Sequence, residues 1–253
     1  MSEQYISQLF LRRLAVAQNP LGRLWLYFHF QHQRMRAESL AHGAIVGKRA
    51  FDIVVSFIVL LLLAPVFMLI GFFIWLEDGG GVFFAQTRVG EFGRQFKMYK
   101  FRSMCLDAEQ RLKDLLAKNH HREGVTFKLK ADPRITRVGK WLRKFSLDEL
   151  PQFYNVLIGD MSLVGPRPHA IHAKAENRLY DEAVDGYFAR HRVKPGITGW
   201  AQVNGWRGET DTHEKIQRRV EHDLHYIENW SVLFDLYILA LTPLALAKTT
   251  NAY

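Results

Sequence analysis

Ile53-Val-Val-Ser-Phe-Ile-Val-Leu-Leu-Leu-Leu-Ala-Pro-Val-Phe-Met-Leu-Ile-Gly-Phe-Phe-Ile-Trp-Leu76 is a run of 24 residues without a charge, and its reading decides how the chain is built. As a helix at ~1.5 Å per residue it is ~36 Å long, enough to cross a bilayer. Two features oppose a simple span. Positive charge stands on both flanks, Lys48 and Arg49 before the run and Arg88, Arg94, Lys97, Lys100 and Arg102 after it. The positive-inside tendency places both flanks in the cytoplasm. Pro65 falls near the middle, where its ring removes a backbone hydrogen bond and bends a helix. A helix that enters, breaks at Pro65 and returns to the same face satisfies both, provided that the backbone groups freed near Leu61 and Leu62 find partners. Because proline is tolerated in true spans, these residues alone leave span and hairpin open.

Outward from this run, a second apolar block, Val232 to Ala247, carries one charge, Asp235, and a proline, Pro243. Its length suits an interfacial or core helix better than a span. Ahead of the long run, residues 1–47 read as a basic amphipathic segment. Arg12, Arg13, Arg23, Arg34 and Arg36 are interleaved with leucines and with Trp25, Tyr27, Phe28 and Phe30. The pattern fits a helix in the headgroup layer and equally one packed on a domain. No compact apolar run with a small-residue cleavage site precedes them, so a cleavable signal peptide is not expected.

The chain carries 34 Lys+Arg against 25 Asp+Glu, a net +9 and a pI near 9.7, which favours anionic partners. From Gln86 to Glu149 sixteen basic residues face eight acidic ones, directly after the long apolar run. That placement suits a membrane surface or a phosphate-rich site and argues against a nucleic-acid partner. A single cysteine, Cys105, excludes a disulfide framework and a Cys-based zinc site within the chain.

The rest of the pattern predicts an α+β fold, mostly helical. Val82–Ala85 and Phe96–Phe101 read as short strands around Gly90 and Gly93. Met104–Asn119, Ile135–Lys144 and His213–Trp230 read as helices, with Asp132-Pro133 opening a turn. Gly159–Pro168 and Lys194–Gly208 read as loops. No repeat or low-complexity linker divides the chain, so three parts are expected: residues 1–47, a membrane helix over 48–78, and a catalytic domain over 79–253 that ends in an interfacial helix.

Ser146-Leu-Asp-Glu149 supports two readings. It matches a capping box, although Pro151 would then clash in the second turn. It is also a pair of adjacent carboxylates beside Arg143 and Lys144, where one carboxylate can attack phosphorus or hold a divalent metal and the other can take a proton. Anionic phosphates repel carboxylates, so such a site needs cations. Tyr99-Lys-Phe-Arg102 and Gly165-Pro-Arg-Pro168 can supply them, with Pro166 and Pro168 stiffening the backbone around Arg167. Taken singly, each of these cations fits an ordinary surface charge. His169 and His172 lie three apart without a carboxylate to complete a metal set, and His120-His121 reads as exposed. Trp200 and Trp206 fit stacking on a base or sugar, and equally closing the core or sitting at the membrane interface.

Taken together, Lys48-Arg-Ala-Phe-Asp52, the apolar run with its proline, Tyr99-Lys-Phe-Arg-Ser-Met104, Asp132-Pro-Arg-Ile-Thr-Arg137, Ser146-Leu-Asp-Glu-Leu-Pro-Gln152, Gly159-Asp-Met-Ser-Leu-Val-Gly-Pro-Arg-Pro168 and Lys194-Pro-Gly-Ile-Thr-Gly199 occur in an order that resembles the bacterial sugar transferases. These are the monotopic polyprenyl-phosphate phosphoglycosyl transferases, and the resemblance covers residues 48–247. It implies a re-entrant helix broken at Pro65, with the catalytic domain on the cytoplasmic face of the bacterial inner membrane. Many members carry Ser before that proline, where this chain has Ala64.

The resemblance also implies a two-step reaction on a UDP-sugar and polyprenyl phosphate. Asp148 forms a covalent phosphosugar and expels UMP, and Glu149 assists the acceptor. Mg²⁺ is implied near Asp148, with Lys100, Arg102, Arg143 and Arg167 on phosphate and nucleotide. Asn204-Gly-Trp-Arg-Gly-Glu-Thr-Asp211, continued by Arg219–Trp230, resembles the glucose-1-phosphate transferases of exopolysaccharide synthesis and points to UDP-glucose. Many of those relatives carry further transmembrane helices and a domain upstream. A homodimer is compatible with the resemblance. The competing class is a membrane-tethered binding protein for anionic lipid or nucleic acid, which leaves the carboxylate pair and the stiffened Arg167 loop without a purpose.

Overall fold

The computed structural model describes residues 20–118, 132–171, 173–176, 178–208, 210 and 212–248. The helix α1 (Pro20–Asp78) contains the whole apolar run and continues through Pro65. Its segment Gly43–Asp78 is long and apolar enough to cross a membrane, and only 11% of its most apolar stretch is buried. The chain divides into two compact units, Met1–Lys48 and Arg49–Tyr253. In the first, Leu24, Tyr27 and Phe28 are exposed, and the rings of the last two meet edge to face. Residues 1–19 of the basic amphipathic segment lie outside the described residues, as do His120, His121, His172, Glu209 and Asp211.

The second unit is a mostly helical α+β body. β1 (Phe83–Val89) and β2 (Gln95–Phe101) pair antiparallel in register Phe83 to Phe101, around a turn in which Gly93 takes φ 76°. Then come α2 (Ala108–Lys118), α3 (Arg137–Lys144), a 3₁₀ turn over Leu147–Glu149, and α4 (Gln152–Ile158). β3 (Ser162–Val164) follows, then the short pair β4 (Lys174–Ala175) and β5 (Arg178–Leu179), and α5 (Tyr180–Ala183). A 3₁₀ stretch over Tyr187–Arg192 leads to β6 (Gly196–Thr198), α6 (Trp200–Val203), α7 (His213–Glu228) and α8 (Val232–Lys248).

Both segments expected to be loops contribute a strand, since β3 and β6 pair in parallel. Three-residue strands carry too little periodicity to stand out in a sequence. The pairing works because the backbones touch. A Cβ on Gly196 would stand 2.1 Å from Gly165 N, and one on Gly199 2.3 Å from Gly165 O. Gly165 N then donates to Thr198 O and Gly196 N to Pro166 O, each at 2.9 Å.

Three apolar clusters hold the unit. Met98, Val156, Met161, Leu163, Val164, Tyr226 and Ile238 form the main one, with Trp200 and Phe234 against it, so Trp200 closes the core. Val55 of α1 packs on this cluster, while Ile70 and Ile74 of the same helix join Phe101 and Leu142 in another. Polar anchors repeat the pattern at both ends of the apolar run. Arg49 donates to Val156 O and Leu157 O at 2.6 and 2.9 Å, and Asp52 accepts from Leu163 N at 3.0 Å. At the far end, Glu77 accepts from Arg137 N and Val138 N at 2.7 and 3.1 Å, satisfying free amides at the start of α3 alongside the Thr136 cap. Leu61 and Leu62, between these anchors, are 64% and 71% exposed.

The lone charge of the second apolar block is also a structural anchor. Asp235 is buried and accepts from Tyr226 Oη at 2.7 Å and Trp230 Nε1 at 3.1 Å, fastening α8 to α7. Asp235→Ala leaves the half-buried Trp230 Nε1 without this acceptor and Tyr226 Oη with only Val164 O at 3.2 Å, so a loss of about 1–3 kcal/mol is expected. Thermal unfolding in detergent measures it, with Asp235→Asn losing less because one acceptor oxygen remains.

Candidate active site

The carboxylate pair sits in the tight connection between α3 and α4. Ser146 takes a left-handed conformation at φ 56°, which is rare for a residue with a side chain and costs about 1–3 kcal/mol. Its side chain caps nothing: Ser146 Oγ instead accepts from Arg207 at 2.9 Å. Helix α4 starts only at Gln152, with Pro151 as its N-cap residue, so the proline breaks no helical turn. The geometry therefore departs from a capping box and presents Asp148 and Glu149 on a short 3₁₀ turn, both buried, at 4% and 7% exposure.

Three cations from distant parts of the chain converge on Glu149. Lys100 Nζ of β2 lies 3.2 Å from Oε1. Arg167, in the loop after β3, grips both oxygens, with Nη1 at 3.1 Å from Oε2. Arg207, after α6, stands 3.9 Å from Oε2. Burial alone raises the Glu149 carboxyl, but Arg167, Lys100 and Arg207 outweigh it and hold it well below the usual carboxylate range. The same burial lowers Lys100 despite the opposing pull of Glu149, and brings Arg88, which faces Arg167 and Glu149, down to about 10.

Asp148 differs. Its Oδ1 is buried without a hydrogen-bond partner. Burial, then the neighbouring Glu149, raise its carboxyl above the ordinary 3.8, with Lys100, Arg143 and Arg167 pulling the other way. A buried carboxylate oxygen facing cations without a donor of its own is free to meet an electrophile or a metal ion.

Of the residues singled out in the sequence, Asp148, Glu149, Lys100 and Arg167 come together. Arg143 acts on Asp148 through its charge, while its Nε donates to Ser103 Oγ at 2.9 Å. Arg102 is not with them. Its guanidinium spans Asp78, with two contacts at 2.5 Å, and donates to Gly81 O, tying the end of α1 to β2. Arg207, Arg88 and the Oγ of Ser146 join the site without a sequence signal of their own: Arg207 sits in the Asn204–Asp211 segment, whose pattern points only to the donor, and a lone arginine such as Arg88 stands out in no pattern. His169 is 5% exposed, its Nδ1 2.9 Å from both Tyr187 Oη and Arg190 Nη1. Among the described residues no group of three or more His, Cys, Asp or Glu gathers as a metal site.

Residues 43–249 match the model of the bacterial sugar transferases. The chain is 52% identical over 195 residues to UDP-glucose:undecaprenyl-phosphate glucose-1-phosphate transferase of Escherichia coli (strain K12), covering 77% of this chain and 39% of that protein. It is 47% identical over 219 residues to undecaprenyl-phosphate glucose phosphotransferase of Komagataeibacter xylinus, covering 87% and 39%. It is 46% identical over 195 residues to exopolysaccharide production protein PSS of Rhizobium leguminosarum bv. phaseoli, covering 77% and 92%. The chain belongs to the bacterial sugar transferase family, as its motifs led us to expect. It spans about two-fifths of the length of the first two relatives.

The raised carboxyl of Asp148 gives a stability prediction with a defined sign. A folded-state pKa above the unfolded value means that the folded protein holds the proton more tightly. Stability therefore falls as pH rises through that window, and the ionised carboxylate is a net cost above it. Asp148→Asn is expected to unfold at a higher temperature than the parent at neutral to alkaline pH in EDTA, with the difference shrinking as the pH is lowered. Thermal unfolding of both proteins across a pH series checks this.

Proposed function

We propose that the protein transfers a sugar 1-phosphate, glucose 1-phosphate by preference, from a UDP-sugar to undecaprenyl phosphate and releases UMP. The observation that carries this reading is the unequal carboxylate pair: Glu149 clamped by Lys100, Arg167 and Arg207, with Asp148 Oδ1 beside it unpartnered. A carboxylate oxygen next to a cluster of cations is the arrangement needed to attack the phosphorus of an otherwise repelling diphosphate.

In the first half-reaction an Asp148 oxygen bonds to the β-phosphorus. The bond from that phosphorus to the bridging oxygen breaks, and UMP departs with the electron pair. Lys100, Arg167 and Arg207 take up the charge on the phosphoryl oxygens in this reading. In the second, an oxygen of the polyprenyl phosphate attacks the same phosphorus, the bond to Asp148 breaks, and the carboxylate is restored. Glu149, one residue away, takes the acceptor's phosphate proton once the substrate phosphates have drawn its cations off. Mg²⁺ fits the orphaned Asp148 Oδ1, and when bound it would neutralise diphosphate charge. The donor assignment rests on the names of the two glucose-type relatives and on the Asn204–Asp211 segment.

The membrane reading keeps both ends of the apolar run of α1 on the cytoplasmic face with the catalytic unit, although the helix runs through Pro65 without the break that the resemblance implied. It is supported by anchors at both ends of the apolar run, Arg49 and Asp52 at one and Glu77 and Asp78 at the other, which bind the same compact unit. The exposed middle is then left to lipid. A polyprenyl substrate and a bilayer are the partners this requires.

UMP release from a panel of UDP-sugars, with Mg²⁺ and with or without undecaprenyl phosphate, tests the reaction. Acceptor-dependent UMP from UDP-glucose is expected, with a stoichiometric burst when acceptor is omitted. Another sugar would change only the donor, and silence from folded protein would favour a binding protein. Asp148→Asn should lose turnover by at least about 10³-fold while staying folded. Glu149→Gln should impair the acceptor-dependent step, and Arg167→Ala should lower kcat/KM for the donor about 10²-fold. Full activity in the Asp148 variant would sink the covalent route. For topology, the partly exposed Cys105 should react with an impermeant maleimide in inside-out vesicles and resist it in intact cells.

A further inference from the structure

Behind the active site lies a fully buried polar network that no step of the proposed reaction uses. Arg190, on the 3₁₀ stretch Tyr187–Arg192, is 1% exposed. Its planar guanidinium reaches three different elements at once. Nε and Nη2 donate to Asp223 Oδ2 of α7 at 3.0 and 2.7 Å, and Nη1 stands 2.9 Å from His169 Nδ1. Nη2 also donates to the backbone carbonyl of Arg167 at 2.6 Å.

We propose that Arg190 is a positioning residue for Arg167: by holding the Arg167 carbonyl against α7, it fixes where the Arg167 guanidinium meets Glu149. The inference rests on the reading of Arg167 as a donor-binding group. The loop leaves few other freedoms. Pro166 and Pro168 restrict the backbone on either side, and Gly165 is pinned to β6 through Thr198 O. Rotation of the peptide between Arg167 and Pro168 is the freedom that remains, and its oxygen is the atom Arg190 holds. His169, next along the loop, is held by the same guanidinium and lies 3.5 Å from Arg219 Nη1.

A buried ion pair alone adds little net stability relative to apolar packing, so Arg190 and Asp223 are weakly accounted for as a staple. Lysine could neutralise Asp223 but could not address three acceptors in a plane.

The test is a double-mutant cycle on the full chain in detergent with Mg²⁺, reading UMP release against UDP-sugar concentration, with unfolding temperature measured for every variant. Arg190→Lys is expected to lower kcat/KM for the donor about tenfold when Arg167 is present. It should have less than about a twofold effect when Arg167 is already alanine, because the group it positions is gone. An equal loss in both backgrounds would make the pair a general support of the fold and overturn the proposal. Asp223→Asn, which keeps one acceptor for Arg190, is carried through the same cycle and should show the same dependence on Arg167. Loss of folded protein in both variants would also overturn it, since positioning would then be inseparable from folding. If Arg167→Ala leaves donor use unchanged, the donor-site reading itself fails, a result distinct from equal losses in both backgrounds.

Discussion

A carboxylate buried at Glu149 is tolerable only with its charge compensated, and the catalytic unit is arranged around that compensation. Lys100 comes from a strand, Arg167 from a loop nearly seventy residues further on, and Arg207 from a turn beyond it, yet all three meet one carboxyl group. Removing ions from water costs several kcal/mol each, so these partners stand or fall together. The compensation is uneven. Donors crowd Glu149 and leave Asp148 Oδ1 with none, which pushes two adjacent carboxyls in opposite directions. Pairs of acids separated in this way are suited to different tasks, which is the division that the proposed reaction assigns to them.

Convergence of long side chains is useful only if the backbones beneath them do not drift. The Arg167 loop is fixed by contact of backbone on backbone, glycine against glycine at 165, 196 and 199, where no side chain fits. On its inner side the Arg190 fork closes the remaining freedom. The left-handed Ser146 adds stored strain at the start of the dyad turn, held by the hydrogen bond from Arg207. Lys100 is steadied differently. Asn155 accepts from Tyr99 N at 2.9 Å and donates to Lys97 O at 2.7 Å, pairing with the edge of β2 as a neighbouring strand would.

Helices α2, α3, α7 and α8 and the first hairpin could be read from periodicity and turn residues, to within about four residues at each end, whereas α1 starts at Pro20 rather than at residue 48 and runs through Pro65 without the expected break. The parallel pair of β3 and β6 could not, because its cause is a tertiary approach between glycines rather than a local pattern. Asp148, Glu149, Lys100 and Arg167 were legible because dense motifs carry them. Arg102 shares such a motif with Lys100 but faces the other way, and its guanidinium is spent on Asp78. Strand alternation would point Lys100 and Arg102 alike, since residues two apart share a face, but the strand ends at Phe101, before Arg102. Arg190 and Asp223 lacked any signal, since a buried ion pair depends on long-range geometry that spacing does not encode.

The position of Arg102 links the long apolar helix to the carboxylate pair. Asp78 closes α1 and binds Arg102, while Glu77 caps α3, the helix that delivers the dyad turn. Lys100 lies two residues from Arg102, and Arg143 lies on the helix that Glu77 caps. The C-terminal end of α1 is therefore tied to both sides of the site, through the residue after β2 on one and α3 on the other. The lipid-linked phosphate of the proposed reaction would have to reach the site with its chain still in the bilayer, which calls for a short and fixed distance from lipid to Asp148. An apolar helix anchored at both ends on the unit that carries the dyad meets that requirement, whereas a helix joined by a flexible linker would not.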